Sequence, residues 1–148
     1  ELVHVPYKGG GSMIIADLMS GQIPMMFDSL PSPLGQIRAG RLRALAVTSL
    51  ARSSAVPEVP ALSEFIPGFE GVAWTGLGGP AKLPKPIVER LSAAVNQAAA
   101  DADYRQKIRD LGADPASSKT PEQFRTFLLT EKARWGKVVA DAKITVSQ

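Results

Sequence analysis

Leu2-Val3-His4-Val5-Pro6-Tyr7-Lys8-Gly9-Gly10-Gly11-Ser12 is the stretch on which the fold turns, because it joins a short apolar strand to a helix through three glycines. Glycine lets backbone approach a ligand closely, Ser12 is a residue type that caps helices, and a helix N-terminus favours a carboxylate or phosphate. After it, Met13, Ile14, Ala16, Leu18 and Met19 read as a mostly buried helix stopping at Gly21. Ile23-Pro24-Met25-Met26-Phe27 then reads as a buried strand, apolar on both faces, with Pro24 at its beginning. Strand, helix and strand in this order predict a βαβ unit.

Working outward, Pro31 and Pro33 turn the chain into a second short helix ending near Gly40, and Leu42-Arg43-Ala44-Leu45-Ala46-Val47-Thr48 supplies a third strand. The alternation predicts a parallel sheet with right-handed crossovers. From Ser49 to about Gly71, Pro57, Pro60 and Pro67 mark an ordered connection with one helical turn around Leu62-Ser63-Glu64-Phe65. Val72 to Pro80 reads as a glycine-bearing strand suited to a hinge. Beyond Pro84 the chain is helical: Pro86 to about Ala100 with Ile87, Leu91, Ala94, Val95 and Ala98 on one face, then Asp103 to Leu111 closed by Gly112. Thr120-Pro121-Glu122-Gln123 combines an N-cap, a first-turn proline and a capping-box glutamine ahead of an apolar helical repeat that runs to Val139. The composition therefore splits near Trp74, with alternating strands and helices before it and helices after it.

Composition narrows the chemistry. Seventeen Lys and Arg against fourteen Asp and Glu in 148 residues give a net charge of only +3, and the basic residues are scattered, so nucleic acid is not an expected partner. No apolar run approaches the ~20 residues that span a bilayer. With no cysteine there is no disulfide, thiol catalysis or zinc-thiolate site. The opening residues already read as strand with no initiator Met before them, as though cut from a longer chain.

The glycine loop is either an anion site or a turn in which glycine relieves strain. It is not a P-loop, since no Gly-Lys-Ser/Thr follows at the required spacing, and no full dinucleotide fingerprint is present. Lys8 either attracts an anion or is solvated. Asp28 lies at the carboxyl end of the second strand, where open parallel sheets contact ligands, and its alternative role is to cap the turn that follows. Tyr7 offers a hydroxyl or a packing ring. His4, the single histidine, has no partner at triad spacing and is expected to pack. Trp74, Trp135 and Met25-Met26-Phe27 are expected in the core. No catalytic constellation, metal-ligand cluster or cofactor motif is legible, and an enzyme is the least favoured class.

Three strings carry a family resemblance: His4-Val5-Pro6-Tyr7-Lys8-Gly9-Gly10-Gly11, then Asp17-Leu18-Met19-Ser20-Gly21-Gln22-Ile23-Pro24-Met25-Met26-Phe27-Asp28, then Gly40-Arg41-Leu42-Arg43-Ala44-Leu45-Ala46-Val47-Thr48. With Val56-Pro57-Glu58-Val59-Pro60, Trp74-Thr75-Gly76-Leu77, Pro84-Lys85-Pro86 and Trp135-Gly136-Lys137-Val138-Val139, the chain resembles the substrate-binding proteins of tripartite tricarboxylate transporters, the Bug family. The resemblance implies a periplasmic solute receptor of the α/β, type II (Venus flytrap) periplasmic binding protein fold. Such a receptor closes two lobes on a small carboxylate and delivers it to integral membrane subunits, without chemistry, cofactor or metal. Family members are about twice as long, which implies that this chain is the C-terminal half. On that footing residues 1–72 belong to a parallel-rich second lobe, 73–80 cross at the hinge, and 81–148 are helices returning to the first lobe. Tyr7, Lys8, Gly9, Gly10, Gly11 and Ser12 would form one wall of the cleft with Asp28 beside it. Many relatives carry Pro where this chain has Ser12. The alternative is an interaction module, a homodimer that covers apolar surface left by an absent lobe.

Overall fold

Helices carry the regular structure of the computed structural model, which describes residues 3–7, 11–115 and 119–144, with backbone alone at 11 and 12. The elements are α1 (Gly11–Met19), α2 (Leu34–Arg38), a 3-10 turn (Leu62–Glu64), α3 (Lys85–Ala100), α4 (Ala102–Asp110) and α5 (Pro121–Asp141). The chain divides into two compact units, one of Glu1–Leu77 with Arg105–Pro115 and one of Gly78–Tyr104 with Ala116–Gln148.

The first unit holds the buried core. Leu34, Val56 and Val59 are its centre, and Leu30, Ile37, Ala44, Val47 and Ala55 pack around them. Local chemistry brings these residues together. α1 ends in a Schellman pair, Gly21 N–H to the Leu18 carbonyl at 3.2 Å and Gln22 N–H to the Asp17 carbonyl at 2.8 Å, with Gly21 at φ +79°. α4 ends in the same way at Gly112, whose φ is +85°, and a Cβ there would meet Leu34 Cδ2 at 2.8 Å. Glycine at 112 thus answers both a left-handed backbone and a close approach to the core. The same unit carries an exposed clamp: Arg52 donates from Nε and Nη2 to the two carboxylate oxygens of Glu64, each at 2.8 Å, and from Nη1 to the Pro57 carbonyl at 3.3 Å. Glu64 Oε1 also accepts the Ala61 N–H at 2.9 Å, closing the 3-10 turn.

The expected parallel sheet does not form among the described residues. Its trace is one isolated parallel bridge, Val47 to Ala61, in which Val47 N–H donates to the Pro60 carbonyl and Leu62 N–H to the Val47 carbonyl, both at 2.9 Å. Thr48 extends the join to Gly71, accepting its N–H at 2.9 Å and donating from Oγ1 to its carbonyl at 2.8 Å. The segments 23–27 and 72–80 carry no strand. A strand is defined by its neighbour, because its backbone groups are satisfied only across a ladder. Composition reports the preference for extended backbone but not the partner. The same cause corrects the expected core: Phe27 is 74% exposed, and Trp74 and Met25 are also exposed, as is His4. In α1, Met13 and Met19 are exposed rather than buried.

The second unit is α3 against α5. The sequence signals at the start of α5 appear as read: Thr120 Oγ1 accepts the Gln123 N–H at 3.2 Å, Gln123 Oε1 accepts the Thr120 N–H at 2.9 Å, and Pro121 opens the first turn. Asn96 fastens that entry to α3 through both of its amide atoms, donating to the Lys119 carbonyl and accepting the Lys119 N–H at 3.3 Å each. Glu131 is the one buried charge noted among the described residues, and it accepts from Trp135 Nε1 at 3.1 Å and Arg134 Nη1 at 3.4 Å. The apolar faces read as packing surfaces are half open: Ile87, Leu91 and Val95 on α3, and Trp135, Val138 and Val139 on α5, are all exposed.

Candidate functional site

Lys8, Gly9 and Gly10 lie outside the described residues. What the structure fixes is the frame around them, with segment 3–7 before and α1 after. α1 begins at Gly11, so Ser12 sits inside its first turn rather than ahead of it as a cap. The first turn contains no acidic residue that would repel an anion at the positive end of the helix dipole.

Tyr7 and Asp17 join that frame. The Tyr7 hydroxyl donates to Asp17 Oδ2 at 2.7 Å, in a partly buried setting, across ten residues of sequence. The bond pushes the Tyr7 hydroxyl pKa up from its ordinary 10, with burial and the charge of Asp17 acting in the same direction, since deprotonation would break the bond and set two anions together. Tyr7 therefore keeps its proton and presents it to Asp17. The backbone carbonyl of Asp17 meanwhile receives the Gln22 N–H that terminates α1. Asp17 was not singled out from the sequence. Its only signal was an acidic residue inside an otherwise apolar helix, and nothing in the spacing points to a tyrosine ten positions earlier.

Asp28 is exposed, and its Oδ1 accepts the N–H of Ser29 at 2.7 Å. Its Oδ2 accepts no hydrogen bond from the described residues, and the helix that follows has no side-chain cap. An open hollow of about 420 Å³ in the first unit, bordered by Ile37, Arg43, Leu45, Glu58 and Val59, is lined by none of the residues chosen from sequence. Among the described residues there is no group of three or more His, Cys, Asp or Glu able to hold a metal ion, and no helix long and apolar enough to cross a membrane.

Residues 1–144 match the family model described as the tripartite tricarboxylate transporter family receptor. A Pseudomonas sp. (strain P51) protein, named for the tcbD-tcbE intergenic region, is 39% identical over all of this chain, which covers 44% of that relative. Protein BugT of Bordetella pertussis is 33% identical over 93% of the chain and 42% of its own length. The chain thus spans less than half the length of these two curated relatives. Among solved structures, the Rhodopseudomonas palustris protein Rpa4515 with adipate superposes with a TM-score of 0.83 at 32% identity, over 95% of this chain and 47% of that one. MatC from the same organism, with bound malate, gives 0.75 at 34% identity over 91% and 47%. The periplasmic binding protein BugD gives 0.81 at 29% identity over 97% and 48%.

Proposed function

We propose, from the premise that this chain belongs to the tripartite tricarboxylate transporter receptor family, a family of receptors and not of enzymes, that it is part of a periplasmic receptor for a small dicarboxylate. The observation that carries the proposal is that two similar solved proteins, at 32% and 34% identity, bear adipate and malate, each an acid with two carboxylates. The receptor would pass its ligand to the membrane subunits of a tripartite transporter.

In this reading the stretch Tyr7, Lys8, Gly9, Gly10, Gly11 and Ser12 is one wall of the cleft. Peptide N–H groups and the positive end of α1 solvate one carboxylate, Lys8 adds charge from the loop, and Asp28 takes a hydrogen bond from a ligand hydroxyl or a bridging water. The extended segments 23–27, 42–48 and 72–80 complete a parallel-rich lobe by pairing with strands outside this chain. The open apolar faces of α3 and α5 are covered in the same way, with 73–80 as the crossing and 81–148 serving the other lobe.

The test is a thermal-shift and calorimetric titration of the natural polypeptide that carries this sequence, with adipate, malate and the uncharged diamide of adipate. An acid at a hundred times its Kd adds about 2.7 kcal/mol to stability, and the diamide adds nothing measurable. Failure of every dicarboxylate to shift the transition would sink the assignment.

A further inference from the structure

We propose that the open hollow of the first unit is a binding site for a small zwitterion with an apolar body, of the type of an α-amino acid with a branched aliphatic side chain, and that Pro60 keeps it open. The proposal stands apart from the receptor reading, because none of the residues assigned to the carboxylate cleft borders this hollow.

The hollow begins where a parallel ladder stops. Val47 N–H donates to the Pro60 carbonyl and Leu62 N–H to the Val47 carbonyl. In a continued parallel ladder Leu45 would come level with Val59, its N–H donating to the Glu58 carbonyl and its carbonyl accepting the N–H of residue 60. Residue 60 is proline and has no N–H. Beyond the bridge, the 3-10 turn at Leu62–Glu64 ends the extended run, so the join is held to one rung. Exposure alternates from Arg41 to Ala46, as in extended chain, and the N–H and carbonyl of Leu45 therefore face the same side as those of Val47, toward 58–60. Neither group has a hydrogen-bond partner among the described residues.

Side chains supply the rest. Arg43 and Glu58 are both exposed, border the hollow and make no ion pair or hydrogen bond among the described residues. In the register set by Val47 opposite Ala61 they stand within one residue of the same level, so a cation and an anion share one end of the hollow. Val59, buried, and Ile37, half-buried, give it apolar surface. Its volume of about 420 Å³ falls in the range of small-molecule sites. Adjacent opposite charges match a molecule whose ammonium and carboxylate share one carbon, whereas a dicarboxylate would set an anion against Glu58. The Leu45 carbonyl, left open by Pro60, is a further acceptor for the ammonium.

The experiment titrates L-leucine into the natural polypeptide that carries this sequence, read by calorimetry and amide chemical shifts. Isocaproate, which lacks the ammonium, and isopentylamine, which lacks the carboxylate, are titrated beside it. Leucine is expected to saturate a site that shifts the amides of Leu45 and Val59, to bind equally well with malate present, and to bind more tightly than either analogue. Arg43→Gln and Glu58→Gln should each weaken it by about fivefold, the size of one exposed charge contact. Pro60→Ala supplies the missing N–H, and is expected to protect that amide from hydrogen exchange and to abolish leucine binding while leaving any response to malate unchanged. Absence of saturable leucine binding overturns the proposal. Displacement of leucine by malate does so too, as does wild-type leucine affinity in either charge variant or in Pro60→Ala. Should Pro60→Ala fail to fold, the two exposed charge variants still decide. A wild type that binds leucine and no dicarboxylate sinks the receptor reading and supports this one.

Discussion

The two units of the chain are built from similar materials and stabilised differently. The first buries Leu34, Val56 and Val59 to 5% exposure or less, although its longest helix is nine residues. The second contains helices of sixteen and twenty-one residues, yet its only buried residues among those described are Ala99 and Glu131. Length of regular structure and depth of core are thus separable. In the first unit short elements are held by what they bury, and in the second long helices are held by caps and by side-chain ties such as Asn96 to Lys119. Most helical stability in proteins comes from packing of an amphipathic face, so the second unit, with its apolar faces half open, gains less from packing than the first.

Leucine truncation is the largest expected effect and the most direct way to break that contrast. Leu34→Ala removes a side chain that is 4% exposed and should cost about 2–5 kcal/mol in urea denaturation. Leu91→Ala on α3 removes one that is 43% exposed and should cost well under half as much in this chain alone. Equal losses at the two positions would mean that the second unit has a core of its own. In the natural polypeptide, a cost at Leu91 that rises toward that at Leu34 would show the α3 face to be covered there.

What could be read from sequence divides along the same line. Helix ends were legible because a cap is a local event: Thr120, Pro121 and Gln123 lie within four residues, and Gly21 and Gly112 each stop a helix one or two residues beyond its last turn. The 3-10 turn at Leu62–Glu64 was legible for the same reason. The sheet was not, because 23–27 and 72–80 declare an extended preference and leave their partners unstated. Burial suffered with it, and Phe27 and Trp74 read as core while lying exposed. At the candidate site the glycine loop was visible from its composition, but the tie between Tyr7 and Asp17 was not. It depends on a helix turning a particular side chain back toward the segment before it, which no spacing rule encodes.

The cap at Thr120 should give the middle effect and sharpen the second half of the contrast. Thr120→Ala removes the acceptor for the Gln123 N–H and should cost about 1 kcal/mol, while Thr120→Ser should restore most of it. Amide hydrogen exchange locates the damage. Faster exchange is expected in the first turn of α5 with little change near Val56 and Val59, and a loss of protection spread evenly over both places would show the units to unfold as one.

The smallest effect belongs to the clamp of the first unit, and pH reads it. Arg52, through its two hydrogen bonds and its charge, together with the Ala61 N–H, holds the Glu64 carboxyl down to about 2 from its ordinary 4.5. The folded value is the lower one, so folding binds the ionised form. The clamp's contribution is therefore fully present above about pH 4.5 and is lost as pH falls from there toward 2. Both side chains are exposed, so solvent screens the pair and its contribution stays small. Replacing Arg52 by Met should lower the denaturation midpoint modestly at pH 7, and the gap from the wild type should close as Glu64 protonates in both proteins. A gap that stays constant down to pH 2 would assign the effect of Arg52 to its stem packing and its bond to the Pro57 carbonyl, and would leave the first unit stabilised by its apolar core with no ionic share.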